Sequence, residues 1–341
     1  MDVAAAAGVS KSTVSNVVRG ADDVSEATRA RVQEAIHRLN YKPNAIARQF
    51  VQQRTTMLGV LVGDLSNPYY AQMAQVVERA AFGQGYTTMF CNIERTQEPA
   101  LSGVEALLQQ RVAGIVFLAF VARTKELDEA LQRADVPIVF LGLSEPWGDS
   151  VGPRDRRGGG LAAEHLLALG HRRIAYVRTP LVETSGDRAR HDGFRTALRR
   201  AGVQALPVHA WTPGADTIVV GRDSRDLAAA LRGREAPTAV FVSNDIGAIA
   251  FIEACERLGL SVPGDISVIG FDDIAIAGLQ RISLTTIAQS LDAQATRAVG
   301  LLLERIENPR LGPRHENAHV ELRVRGSTAP PRTRRRRGAA A

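Results

Sequence analysis

Asp2-Val3-Ala4-Ala5-Ala6-Ala7-Gly8-Val9-Ser10-Lys11-Ser12-Thr13-Val14-Ser15-Asn16-Val17-Val18-Arg19 reads as two short helices and a turn. The alanine run to Ala7 is helical, Gly8 breaks it, and Ser10 caps a second helix from Lys11 to about Arg19. On that helix Val14, Val17 and Val18 share one face, and Lys11, Ser12, Ser15 and Asn16 the opposite one. A polar, basic face on an apolar base, one turn after another helix, has the spacing that sets a second helix into a DNA major groove. Ser25 caps a third helix, whose Val32, Ala35, Ile36 and Leu39 recur at i, i+3, i+4 and i+7 to form one apolar stripe.

Beyond Thr56 the pattern changes. Apolar runs at Leu58–Val62, Thr87–Cys91, Gly114–Ala119, Pro137–Leu141, Ile174–Val177, Ala239–Val242 and Ile266–Phe271 alternate with amphipathic segments. That βαβ rhythm predicts parallel sheets covered by helices, with ligands beyond the carboxyl ends of the strands. The 341 residues suffice for a small module and two such sheets, with the chain changing subdomain near 152–160 and again after 280. No stretch approaches the roughly 20 uninterrupted apolar residues of a membrane helix, and no secretory signal opens the chain, so a cytoplasmic protein is expected. Cys91 and Cys255 lie far apart in apolar stretches and read as buried free thiols. The net charge of +6 is weak support for nucleic acid, because Arg332, Arg334, Arg335, Arg336 and Arg337 in the low-complexity tail account for most of it.

Several words of the sequence resemble the lactose-repressor (LacI/GalR) family of bacterial transcriptional regulators. They are Asp2-Val3-Ala4, Ala7-Gly8-Val9-Ser10, Thr13-Val14-Ser15, Asn40-Tyr41-Lys42-Pro43-Asn44-Ala45, Asn67-Pro68-Tyr69-Tyr70, Gly170-His171-Arg172-Arg173-Ile174, Ser243-Asn244-Asp245, Gly270-Phe271-Asp272-Asp273 and Arg325-Gly326-Ser327-Thr328. The resemblance runs from Asp2 to about Pro330. It implies an all-α helix-turn-helix at 1–42, a hinge helix and linker at 43–55, and a type I periplasmic-binding-protein-like α/β body of two parallel-sheet subdomains at 56–330; beyond it, low complexity alone predicts a disordered basic tail at 331–341. It further implies an allosteric repressor that works as a homodimer on near-palindromic operator DNA, with a small-molecule effector and no cofactor or metal.

By matching position, the resemblance makes Lys11, Ser12 and Asn16 base readers and puts Thr13 and Ser15 nearer the phosphates. Lysine can donate to guanine O6 and N7, and asparagine can pair with adenine; either side chain could instead touch only backbone. DNA contact is implied also for Asn44, Ala47 and Phe50 in the hinge. Phe50 stands where relatives carry a leucine that opens a base step, and phenylalanine is a wedge type too, although packing on the body is the alternative. Relatives usually have a few more residues, including a helix cap, ahead of the aspartate, so with Met1 next to Asp2 the first helix is expected to be under-capped and DNA affinity lower.

For the effector, the resemblance assigns Arg190, Asp272 and Asn244, while Tyr69 and Tyr70 follow the first core strand where a cleft should open. Trp211 reads equally as a second aromatic wall or as core. An arginine that only donates, a carboxylate that only accepts and aromatic faces suit a hydroxyl-rich ligand, a sugar or derivative, with a purine as the rival. Gly142 departs from the family, where many members carry an acidic residue. An enzyme is not expected: P-loop, Gly-x-Ser-x-Gly and His-Glu-x-x-His motifs are missing, and His315 and His319 lie among prolines and glycines. Gly158-Gly159-Gly160 reads as a tight turn or, less simply, a phosphate-binding helix start. A periplasmic sugar carrier would explain the body but not residues 1–55.

Overall fold

The computed structural model describes residues 3–19, 21, 24–40, 55–93, 97–118, 124–143, 145–179, 184–207, 209–215, 217–220, 223–233 and 235–332. It divides into two compact units, 1–55 and 56–341.

The first unit holds α1 (Val3–Ala7), α2 (Lys11–Arg19) and α3 (Glu26–Arg38). Gly8, at φ +63°, ends α1: its N–H donates to Ala5 and the N–H of Val9 to Ala4, the Schellman arrangement that needs a left-handed residue. Ser10 Oγ then accepts from the Thr13 N–H at 3.0 Å and caps α2, and Ser25 caps α3. Val3, Ala7, Val17, Val32 and Ala35 close a small core, with Val14, Ile36 and Leu39 packed around it.

The second unit contains two sheets. In the first, β1 (Met57–Val62), β2 (Thr87–Asn92), β3 (Gly114–Leu118), β4 (Ile138–Leu141), β5 (Asp149–Pro153) and β13 (His315–Ala318) lie in the order β13-β5-β4-β3-β1-β2, every pair parallel. The second contains β6 (Ile174–Arg178), β7 (His209–Ala210), β8 (Thr217–Val220), β9 (Asp223–Asp226), β10 (Ala239–Val242), β11 (Ser267–Asp272), β12 (Thr285–Gln289) and β14 (Val320–Arg323). Their order is β14-β12-β11-β10-β6-β7-β8-β9, with the central strands parallel. The central strands are almost wholly apolar because helices cover both faces.

The helices of this unit are α4 (Pro68–Phe82), α5 (Gln97–Gln109), α6 (Lys125–Gln132), α7 (Asp155–Ala168), α8 (Ser185–Arg200), α9 (Leu227–Arg232), α10 (Asp245–Arg257) and α11 (Leu291–Glu307). The chain passes between the sheets three times: from β5 into α7, from β12 into α11, and from β13 through His319 into β14. The third passage had no signal in the sequence. The passages are tied together, since Arg154 N donates to Ala318 O at 3.1 Å and Ser290 Oγ to His319 O at 3.0 Å.

One sequence expectation is corrected here. Gly158, Gly159 and Gly160 are interior to α7, so they form neither a turn nor a phosphate loop. A Cβ on Gly159 would strike the Arg190 carbonyl, and one on Gly193 the Arg156 carbonyl. The two helices thus meet backbone to backbone at reciprocal glycines. His315 and His319 are not on a helix: His315 lies in β13, where its Nδ1 bonds Ser150 Oγ at 2.8 Å. No group able to hold a metal occurs among the described residues.

Candidate functional site

The ionisable groups singled out above come from both sheets: Tyr69 and Tyr70 follow β1 of the first, Asp272 ends β11 of the second, and Arg190 lies on α8. Asn67 caps α4 by accepting from the Tyr69 N–H at 3.1 Å, and Pro68 opens the helix, so the Asn67-Pro68 pair delivers both tyrosines to its first turn. Tyr70 rests on Gly63, and the two rings meet edge to face at 5.3 Å. Tyr69 is 7 % exposed, and burial together with the nearby Asp272 carboxyl pushes its phenol well above the ordinary value.

Arg190 reaches this site from α8, which Thr184 caps. Its Nε donates to Asp155 Oδ1 at 2.7 Å and its Nη1 to the Ser243 carbonyl at 2.7 Å, while the guanidinium carbon lies 3.6 Å from the centre of the Phe271 ring. Burial opposes its charge, but Asp155 and then Asp272 outweigh that and hold it firmly protonated. Asp272 closes β11 with φ +130°, followed by Asp273 at φ +60°. Positive φ at two successive non-glycine residues stores strain, which concentrates at ligand sites. Asp272 Oδ1 accepts from Gln289 Nε2 at 2.7 Å, and burial drives its carboxyl well above the usual range against the lowering pull of Arg190. Arg190 and Asp272 do not bond each other directly; their partners are Asp155 and Gln289.

The other expected effector residues are placed differently. Asn244 caps α10, its Oδ1 accepting from Gly247 N at 2.8 Å, and its Nδ2 donates to the Thr179 carbonyl at 2.7 Å, so the amide ties the end of β6 to the start of α10. Beside it, fully buried Asp245 takes the Thr286 hydroxyl at 2.5 Å and the Ile274 N–H at 3.0 Å. Trp211 has no exposed surface, donates to the Ala215 carbonyl at 3.0 Å, and stacks edge-on against Phe251 in the same apolar cluster as Tyr69 and Tyr70. Asp155, Phe271 and Gln289 were missed by the sequence reading. Only Asp155 left a trace, at the start of a helix where the chain changes sheet.

In the first unit, Lys11 and Ser12 of α2 are exposed, and Thr13, Ser15 and Asn16 are half-buried at its polar face. Ser10 Oγ bonds the hydroxyls of Ser12 at 2.7 Å and Thr13 at 2.8 Å, fixing the start of that face. Asn44, Ala47 and Phe50 of the expected hinge, and the arginine tail from Thr333, lie outside the described residues.

Residues 1–44 match the family described as "Bacterial regulatory proteins, lacI family", and residues 163–328 match a "Periplasmic binding protein-like domain". The chain is 36 % identical over 330 residues to the ribose operon repressor of Escherichia coli K12, covering 96 % of this chain and 98 % of the relative. It is 34 % identical over 328 residues to the transcriptional repressor PurR of Aliivibrio salmonicida, covering 96 % and 97 %. Among solved structures, the lac repressor dimer bound to operator and an anti-inducer aligns with a TM-score of 0.82 at 31 % identity, covering 96 % of this chain and 98 % of that one. A ribose-bound regulator from Enterococcus faecium aligns at 0.68 and 30 % identity, covering 81 % and 100 %. No helix among the described residues is long and apolar enough to cross a membrane. With its helix-turn-helix, its two-sheet body and these relatives spanning nearly the whole chain, the protein belongs to the lacI family of bacterial regulatory proteins and is a DNA-binding regulator.

Proposed function

We propose that the protein is a transcriptional repressor that binds a near-palindromic operator as a homodimer, and that a neutral, hydroxyl-rich effector, a sugar or close derivative, sets its operator affinity. The observation that carries the ligand class is that Arg190 and Asp272, from the second sheet's side, act electrostatically on Tyr69, which follows β1 of the first sheet. Arg190 has spent Nε and Nη1 on Asp155 and Ser243, leaving its remaining N–H group for a ligand acceptor; the Asp272 carboxyl, which accepts from Gln289 Nε2 and from the Asp245 backbone N–H, has acceptor capacity left for a ligand donor. A hydroxyl answers both, and the Tyr69 ring suits the C–H face of a sugar. The ribose-bound neighbour and the ribose operon repressor put pentoses first among candidates. Lys11, Ser12 and Asn16 contact bases from α2.

The test is calorimetry of wild type and Asp272→Asn against neutral sugars and nucleobases, followed by operator titration with each ligand that binds. A sugar binds wild type and shifts operator affinity by about 1–3 kcal/mol. Asparagine keeps the Gln289 bond but puts amide N–H groups where the carboxyl accepts, so affinity falls about tenfold or more while the free protein stays folded. Binding of nucleobases alone would refute the carbohydrate assignment, and an unaffected variant would remove Asp272 from the site.

A further inference from the structure

Among the described residues one buried side-chain polar atom lacks a hydrogen-bond partner, Oε1 of Gln294. Gln294 lies in the first turn of α11 and has no exposed surface. Its Nε2 donates to Gln289 Oε1 at 3.3 Å, and Gln289 Nε2 donates to Asp272 Oδ1 at 2.7 Å. With Asp272 accepting, the order of both amides is fixed: each nitrogen faces the carboxylate end, and the last oxygen is left at the α11 end. Its neighbours on the buried face of α11, Ala295, Ala298 and Val299, are apolar, so the position tolerates a side chain without polar atoms. A buried acceptor left unpaired costs more stability than its single long hydrogen bond returns. Packing alone gives no reason for glutamine here, whereas a binding cleft does, because the missing donor arrives with the ligand.

We propose that Gln294 is a specificity-determining ligand contact, its amide oxygen accepting a hydrogen bond from one hydroxyl of the effector. This rests on the carbohydrate reading above. Together with Asp272 it makes two acceptors on one relay, so the ligand must present hydrogen-bond donors to both. A molecule offering a carboxylate, a phosphate or a ring carbonyl at that point is turned away, since oxygen would face oxygen.

The experiment measures Gln294→Met, of similar length and without an acceptor, beside wild type. The tightest-binding neutral sugar of a panel of pentoses, hexoses and cellobiose is used with its full set of monodeoxy analogues. The expected result has three parts: the ligand-free variant melts at or above the wild-type temperature; affinity for the parent sugar falls five- to tenfold; and one deoxy analogue binds both proteins equally, which identifies the hydroxyl. An unchanged affinity for the parent sugar overturns the proposal. So does an equal loss for every analogue, which would make Gln294 a positioning residue acting through Gln289. If methionine packs badly and lowers the melting temperature, Gln294→Leu repeats the cycle, and the pattern across analogues decides. A wild type that binds no sugar of the panel refutes the carbohydrate reading itself, and this contact with it, an outcome distinct from binding without dependence on Gln294.

Discussion

Adjacent glycines of α7 give opposite responses to the same substitution. A methyl group on Gly159 falls well inside 3.0 Å of the Arg190 carbonyl and its backbone, whereas on Gly160 it meets nothing nearer than 3.9 Å, the ends of Arg157 and Glu164. In Gly159→Ala the obstructing atoms are main chain, so α7 and α8 must separate by more than an ångström; overpacking of this kind costs about 3 kcal/mol. Alanine recovers about 1 kcal/mol of helix propensity, leaving a net loss of about 2 kcal/mol. Gly160→Ala keeps the propensity gain with no clash and stabilises by up to about 1 kcal/mol. Urea unfolding followed by the fluorescence of Trp147 and Trp211, both in the second unit, measures the difference. The displaced carbonyl belongs to Arg190, so ligand affinity falls in Gly159→Ala and holds in Gly160→Ala. Equal shifts for the two variants, or a Gly159→Ala protein as stable as wild type, would refute the close helix crossing.

Asp149 is wholly buried and clamps Arg305 and Arg314; burial works to raise its carboxyl, but their hydrogen bonds win and hold it at about 2. Asp149→Ala strands two guanidinium groups and costs about 3–5 kcal/mol in the same unfolding assay, and a loss under 1 kcal/mol would make the clamp incidental. His171, buried in the loop just before β6, bonds Thr238 and the Ala329 carbonyl, and burial lowers its pKa below 6.5. Because the folded state prefers the neutral ring, its contribution is complete above pH 6.5 and is lost as pH falls below that; the urea midpoint drops between pH 7.5 and 5.5, and drops less in His171→Gln. Lys11→Ala relaxes operator preference at one base position per half-site by about 1–3 kcal/mol in a titration against an operator library at fixed salt, while a uniform loss across sequences would assign Lys11 to phosphate.

What was legible in the sequence followed from patterns that local chemistry imposes. Gly8, Ser10 and Ser25 mark helix ends because only their conformation or side-chain oxygen satisfies orphan backbone groups there, and the apolar runs mark strands covered on both faces. β5 was invisible because Asp149 opens it; that carboxylate is buried only after Arg305 and Arg314 arrive from more than 150 residues away. β13 and β14, His315–Ala318 and Val320–Arg323, are polar edge strands without an apolar signature. Gly158–Gly160 misled because composition shows a weak helix former but not the second helix pressed against it. At the site, the motif positions of Arg190 and Asp272 were legible while their partners were not, since Asp155 and Gln289 meet them only through the tertiary fold. The Ser243-Asn244-Asp245 word holds β6, β10 and the β11–β12 region together as much as it lines a cleft.

The arrangement of charges gives a ligand at the proposed site a means of holding the two sheets together. Asp272 and Asp245 are both buried, the carboxyl of Asp272 raised by desolvation and by Asp245, and that of Asp245 by desolvation and by Asp273, so enclosing them costs electrostatic free energy. On the proposed binding mode, a hydroxyl donated to Asp272 and an acceptor presented to Arg190 would offset that cost only while the groups around them are enclosed. Effector affinity would then differ between enclosed and open arrangements, the condition for a ligand to shift their populations. The three passages between the sheets limit how the body opens. Since Arg154 is bonded to Ala318 and Ser290 to His319, they move as one strip, which permits bending about its line and resists shear. Gln289 ends β12 one residue before Ser290, so the side chain that orients Asp272 sits at the edge of that strip. Ligand chemistry and hinge geometry thus meet within two consecutive residues, the shortest route by which occupancy of the cleft can bias the bend.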